Sequence, residues 1–329
     1  MTREDRGSGD VKNQAYSDVV TMGETMALMK AATPGPLAHA GSLELGMGGA
    51  ETNFAIALKR LGTSVTWLGR VGQDSLGDLV LREVAAEGIT TLGIRDAGAP
   101  TGLMIKERRT LEHLKVWYYR SGSAGSRLAP EDVPVETIRN AKLLHLTGIT
   151  PGLSGSAYEA ALNAVNVARE AGVRVSFDLN YRAALWTEED AGPVFRRFIE
   201  LATIVFAGDD EARIAVGHGA DSFELAHKIA AMGPRQVIIK NGPLGCAAVI
   251  DGVELRQEAV RINAVDTVGA GDAFVAGYIS DLLAGAPAEE RLRTAVRTGA
   301  FACLVPGDWE GMPRRHELGL LDASEPVTR

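Results

Sequence analysis

Apolar strand-like runs alternate with segments of helical spacing along almost the whole sequence, and this alternation limits the possible folds more than any other feature. Runs at 18–22, 65–69, 143–146, 173–177 and 237–240 read as short buried strands. Between and after them, 49–61, 76–86, 156–171, 223–232, 270–283 and 289–304 read as helices. Strands joined through helices run parallel, because the chain must travel back along the sheet and a helix covers that distance while burying one face. The expected fold class is α/β, stacked βαβ units around a mostly parallel sheet. The helix at 49–61 is the most fully specified. Phe54, Ala57, Leu58 and Leu61 share a face, Lys59 and Arg60 occupy the last turn, and Gly62 stands where a left-handed residue ends a helix. Gly88 closes the helix at 76–86 in the same way.

Two places break the rhythm. Residues 26–30 with 42–45, and 103–106 with 115–119, read as strand pairs with no helix between them. They predict a small projecting β-sheet built from about 26–46 and 101–121, serving as a lid, as a dimer surface or as decoration. Residues 1–17 are polar and of mixed charge, with no apolar run, and read as a disordered leader before a single domain at 18–322 and a short tail at 323–329. No stretch reaches the roughly 18 apolar residues of a membrane span. Cys246 and Cys303 lie in apolar surroundings without metal-ligand spacing, so a cytoplasmic chain with no membrane partner is expected. The net charge of −8, with no basic patch to offset it, argues against nucleic acid as a partner.

Residues 266–277 read D-T-V-G-A-G-D-A-F-V-A-G, a glycine-rich turn running straight into an apolar helix. Gly269, Ala270 and Gly271 expose main-chain N–H groups at a helix start, which attract anions. A carboxylate is unwelcome beside bound phosphate, so Asp272 suggests a proton acceptor for an attacking hydroxyl; taken alone it is also an ordinary helix cap. The Walker motif G-x-x-x-x-G-K-[ST] is absent. Phe274 stands where the third glycine of a dinucleotide fingerprint belongs.

Gly48 and Gly49 precede a helix carrying Glu51 and Asn53, a suitable receptor for sugar hydroxyls or simply a helix entry with an acid against the dipole. Trp117-Tyr118-Tyr119-Arg120 and Asp178-Leu179-Asn180-Tyr181-Arg182 each set an arginine among aromatic rings, and arginine grips carboxylates or phosphates through paired hydrogen bonds. The second stretch ends a strand, at the edge where open α/β sheets bind ligands. His145 reads as a core residue.

Together these residues resemble the ribokinase (PfkB) family of carbohydrate kinases over nearly the whole chain after residue 17. Gly48-Gly49-Ala50-Glu51-Thr52-Asn53 through Gly62 is similar to the first family motif, and 266–277 to the second. Within the family, Tyr118-Tyr119-Arg120-x-Gly122-Ser123-Ala124-Gly125-Ser126, the stretch 144–151 and Asp178-x-Asn180-Tyr181-Arg182 look like 2-keto-3-deoxygluconate kinases. The resemblance implies a doubly wound, mostly parallel α/β sheet with helices on both faces and a β lid, and transfer of the ATP γ-phosphoryl group to a primary hydroxyl of a sugar acid, with Mg2+ as the second cofactor. It implies Asp272 as catalytic base and the Gly269, Ala270 and Gly271 amides as anion hole. Gly48, Gly49, Asn53, Tyr118, Arg120, Arg182 and Asp308 fall on sugar positions, with Arg120 expected on the substrate carboxylate. Lys240, Gly242, Gly245, Gly269 and Gly271 fall on nucleotide positions, and Glu211 on one that organises water around the metal. The two unpaired hairpins, for their part, suggest a homo-oligomer joined through the lid. Three departures are visible: Met104 where such kinases carry tyrosine, Gly208 in place of the asparagine of N-x-x-E, and Pro243 in the nucleotide loop. A fructokinase or other neutral-sugar kinase, and a non-catalytic sensor of sugar or nucleotide, are the alternatives.

Overall fold

The computed structural model describes residues 16–110 and 113–322. In chain order the strands are β1 (Val19–Met22), β2 (Met26–Ala31), β3 (Leu43–Gly48), β4 (Val65–Gly72), β5 (Thr90–Asp96), β6 (Leu103–Arg108), β7 (Leu114–Tyr119), β8 (Leu143–Thr147), β9 (Arg174–Asp178), β10 (Ile204–Gly208), β11 (Gln236–Lys240), β12 (Cys246–Ile250) and β13 (Val253–Gln257). The helices are α1 (Ala50–Arg60), α2 (Ser75–Ala86), α3 (Val135–Arg139), α4 (Ile149–Leu153), α5 (Gly155–Glu170), α6 (Glu188–Leu201), α7 (Asp209–Val216), α8 (Ser222–Ala230), α9 (Ala270–Leu283) and α10 (Ala288–Ala302).

The main sheet has the order β13-β12-β11-β10-β9-β8-β1-β4-β5. It is parallel from β11 to β5, with β12 and β13 antiparallel at one edge. Every residue of β1 and β8 is buried, since helices cover both faces, and that explains why these strands read as apolar runs without alternation. One face packs α3, α5, α6, α7 and α8 around Phe177, Phe195 and Phe198. The other packs α1, α2, α9 and α10 around Trp67, Phe206 and Tyr278. The expected helix ends are present: Gly62 follows α1 with φ +98°, and Gly88 follows α2 with φ +75°.

From β1 the chain winds outward to β5, then restarts at β8 on the other side of β1. This reversal opens a crevice at the carboxyl ends of β1 and β8, where ligands of such sheets bind. Both expected hairpins form and stand over that crevice as a separate sheet of order β3-β2-β6-β7, joined by the parallel pair β2–β6 around Met26, Leu28 and Met104.

Several elements depart from the pattern read in the sequence. β5 lies at the sheet edge and alternates between exposed and half-buried residues, so it lacks an apolar run. α6 was not anticipated; it contains Gly192 and Pro193, which have poor helix propensity, and its fold is secured by the Thr187 hydroxyl accepting the Asp190 N–H at 3.2 Å and by burial of Phe195, Phe198 and Ile199. β10, α7 and the β12–β13 hairpin were also not anticipated. Most of the expected leader and all of the tail lie outside the described residues. Ser17 is buried and accepts a hydrogen bond from Thr66 Oγ1 at 2.9 Å. Among the described residues no helix is long and apolar enough to cross a membrane.

Candidate active site

The glycine loop is shaped from both sides. Gly269 has φ +76°, and the Asp308 carbonyl packs where its Cβ would be, so the position needs glycine for conformation and for space. Asp266 braces the loop, accepting the Val268 N–H at 3.1 Å and the Gly307 N–H at 3.3 Å. The N–H groups of Gly269 and Gly271 have no acceptor among the described residues, whereas Ala270 N–H donates to Thr267 O at 3.3 Å. Two of the three expected amides are therefore open at the start of α9, and the third has a long local partner. This is an anion site by its main chain alone.

Asp272, one turn into α9, faces this opening and is 8% exposed. Asn53 Nδ2 donates to its Oδ2 at 2.9 Å and Asn180 Nδ2 to its Oδ1 at 3.4 Å. Burial pushes the carboxyl up to about 7, against the pull of Asn53, Arg182 and Lys240. At neutral pH it is poised between acid and base, the condition for a group that accepts a proton during reaction. Asp178, at the end of β9, holds Lys240, at the end of β11, through both carboxylate oxygens at 2.7 and 2.8 Å. Burial opposes the ammonium, but Asp178, Glu211 and Asp272 outweigh it and keep Lys240 above the ordinary lysine value. Its Nζ lies beside Gly271, where a Cβ would meet it at 3.7 Å.

Under the lid, a narrow cavity of about 80 Å³ is lined by Gly49, Asn53, Tyr118, Arg120, Arg182 and Asp308, among others, together with Asp272. Gly48 lies behind it, where a Cβ would overlap Met104 and the Asp308 carboxylate. The sugar-side residues read from sequence thus converge, but two are already engaged. Arg120 is tied to Glu24, which also accepts from Ser123 Oγ. Asp308 is ion-paired with Lys106 of β6. Arg182 donates to Tyr181 O at 2.9 Å and has no ion pair among the described residues, which makes it the available cation of the cleft. Glu51 is no solvated dipole partner: it is buried, and its Oε1 accepts from Thr147 and Thr150 at 2.7 and 2.8 Å, tying α1 to the end of β8.

A cavity of about 360 Å³ leads from Asp272 past Lys240 and Glu211, and one of about 680 Å³ continues over α7 and the β11–β12 turn. Gly242 and Gly245 shape that turn, with φ of +52° and +91°, while Asn241 and Leu244 face the cavity in their place. Glu211 Oε2 accepts the Gly208 N–H at 2.6 Å and Oε1 the Tyr181 N–H at 3.0 Å, so the acid organises backbone at the mouth of the site. Among the described residues no group of three or more His, Cys, Asp or Glu could cage a metal. Mg2+ needs no such cage, since it keeps waters and takes its ligands from nucleotide phosphates and one or two carboxylates; Asp178 and Glu211 on the cavity wall fit that use.

The sequence profile described as pfkB family carbohydrate kinase matches residues 17–315. The chain belongs to this family of carbohydrate kinases. The pfkB kinase is 34% identical over 308 residues to the 2-dehydro-3-deoxygluconokinase of Bacillus subtilis, covering 92% of this chain and 94% of that one. It is 31% identical to the 2-dehydro-3-deoxygalactonokinase of Haloferax volcanii, over 89% and 92% of the two chains. A crystal structure of a PfkB protein from Polaromonas sp. JS666 superposes with a TM-score of 0.84 at 35% identity, covering 92% of this chain and 99% of that one.

Three side chains of this pfkB kinase's site escaped the sequence reading. Glu24 follows the central strand β1 at its carboxyl edge, a position where an acid after an apolar run was the available signal. Lys106 shares the inward face of β6 with Met104, as strand alternation required. Asn180 had been read only as part of a polar strand end.

Proposed function

We propose that this kinase phosphorylates the primary hydroxyl of 2-keto-3-deoxygluconate or a close sugar acid, with ATP as donor and Mg2+ bound alongside the nucleotide. One observation carries the reading: a single cavity brings together the buried Asp272 carboxylate, the open N-terminus of α9 and the Arg182 guanidinium, which has no ion pair among the described residues. The hydroxyl oxygen attacks the γ-phosphorus while Asp272 takes its proton, and the bond from phosphorus to the β,γ-bridging oxygen breaks to release ADP. The Gly269 and Gly271 amides and Lys240 face the charge on the transferred group. Magnesium, when bound, neutralises phosphate charge. Arg182 then grips the substrate carboxylate, with Arg120 fixed behind it by Glu24.

The larger cavity toward Asn241 and Arg256 is the space left for the rest of the nucleotide. Leu45, Trp117 and Tyr119 are exposed on the lid and support its use as a surface between copies of the chain. Two unbridged, buried thiols suit a reducing, cytoplasmic compartment.

The test is ADP release measured over 2-keto-3-deoxygluconate, its galactonate epimer, fructose, glucose and ribose. Turnover should be confined to the sugar acids. Preference for fructose would replace the acid with a neutral sugar, and sugar-acid binding without ADP release would make the chain a sensor.

A further inference from the structure

Among the described residues two that are not glycine have positive φ. Asp251 is one, in the tight turn between β12 and β13, where a left-handed residue closes a hairpin. Asn180, at φ +41°, has no hairpin to close. It lies just beyond β9 at the carboxyl edge of the sheet and is 5% exposed. Side chains adopt this backbone against steric opposition, asparagine less than most. Such a conformation, held in a buried loop beside a reactive group, points to a role in the site. Its visible effect is to turn the side-chain amide back toward α9, so that Nδ2 reaches Oδ1 of Asp272 at 3.4 Å. Asn53, from α1, holds Oδ2 at 2.9 Å. Each oxygen of the carboxylate therefore has an amide donor, one from α1 and one from the loop after β9.

We infer that Asn180 is a positioning residue for phosphoryl transfer: its left-handed backbone serves to bring an amide to Oδ1 of Asp272 and to fix the plane in which that carboxylate meets the sugar hydroxyl. The inference rests on the reading of Asp272 as the base. An N–H donor favours the ionised carboxylate, as Asn53 does here against the burial that raises Asp272 to about 7, and the Asn180 amide adds a second donor of the same kind. The charged groups that bear most on Asp272 are Arg182 on the loop after β9, Asp178 at the end of β9 and Lys240 at the end of β11, while Glu211, Lys106, Asp308, Glu24 and Arg120 line the same cavities. Asn180 is uncharged, so its amide can be deleted without changing the charge of the site.

Asn180→Gly is the informative variant, because glycine adopts the left-handed backbone freely and removes only the amide. Asn180→Asp keeps the shape and sets a second carboxylate beside Asp272. We expect Asn180→Gly to lower kcat about tenfold, a loss of roughly 1.4 kcal/mol in transition-state stabilisation, with KM for ATP and sugar acid within about twofold of wild type. The acidic limb of kcat against pH should move upward in Asn180→Gly and further in Asn180→Asp. Carbon-13 NMR of the Asp272 side-chain carboxyl, assigned by its disappearance in Asp272→Asn, should titrate at higher pH in Asn180→Gly, a readout independent of turnover. Wild-type kcat with an unmoved titration in Asn180→Gly overturns the inference, as does a rise in sugar KM at unchanged kcat. If Asp272→Asn itself retains wild-type turnover, the base assignment falls first and takes this inference with it.

Discussion

Arg120 Nε lies 2.7 Å and Nη2 2.5 Å from the same oxygen of Glu24, a side chain wholly buried beneath the lid. The arginine that sequence reasoning set on the substrate carboxylate is thus ion-paired to an internal carboxylate, whereas the nearby Arg182 has, among the described residues, only a main-chain acceptor, Tyr181 O. The two predict different phenotypes. Arg182→Leu should raise the KM for the sugar acid about tenfold or more, from loss of a charge-assisted hydrogen bond worth about 1.5–3 kcal/mol, and leave KM for ATP and Tm nearly unchanged. Arg120→Leu should instead strand a buried carboxylate, at a cost of about 3–5 kcal/mol in stability, and Glu24→Gln in the same chain should recover part of it. Steady-state kinetics with thermal melts would separate these outcomes, and equal effects on both ligands from Arg182→Leu would rule it out as the clamp.

Asp272→Asn should lower kcat by roughly 100-fold to 10,000-fold, since the amide cannot take the hydroxyl proton. In the wild type, kcat/KM should fall as pH drops through about 7, because burial holds the free carboxyl there and only its ionised form accepts a proton. Initial rates from pH 5.5 to 9 with saturating ATP check both statements. A profile flat across that range would exclude Asp272 as the titrating base.

Lys106 and Asp308 are both about 95% buried and come from the lid and from the loop after α10. Lys106→Met should leave Asp308 desolvated beside Glu310 and Asp266, which already push its carboxyl upward along with burial. A loss of about 3–5 kcal/mol, or roughly 5–10 °C in Tm, is expected. Asp308→Asn added to Lys106→Met should restore most of it in a double-mutant cycle. A fully additive cycle would mean the pair is not coupled.

What could be read from the sequence divides by distance along the chain. The glycine loop and Asp272 are contiguous, and the turn, the helix start and the carboxylate are specified within a dozen residues. Asn53 was found the same way, through its own helix entry. Lys106 and Asp308 are 202 positions apart, and Arg120 and Glu24 are 96 apart, so their pairing exists only once the topology folds the lid over the crevice. The left-handed backbone at Asn180 had no glycine to announce it. α6 was hidden because Gly192-Pro193 breaks the local pattern, while burial of Phe195 and Phe198 decides the outcome.

The raised carboxyl of Asp272 also bears on stability. A carboxyl that holds its proton more tightly folded than unfolded stabilises the protein below the unfolded value near 4, and that contribution is lost as pH rises through about 7. Above that pH the native state carries a buried charge, at a cost of order 1–4 kcal/mol. Asp272→Asn has the same shape and no charge to bury. Its Tm should match the wild type near pH 4, pull ahead as pH rises, and keep a constant lead above about 7.5. A variant less stable than wild type at pH 8 would show that the hydrogen bonds from Asn53 and Asn180 to the charged oxygens outweigh desolvation, and that the active form of the base is the comfortable one.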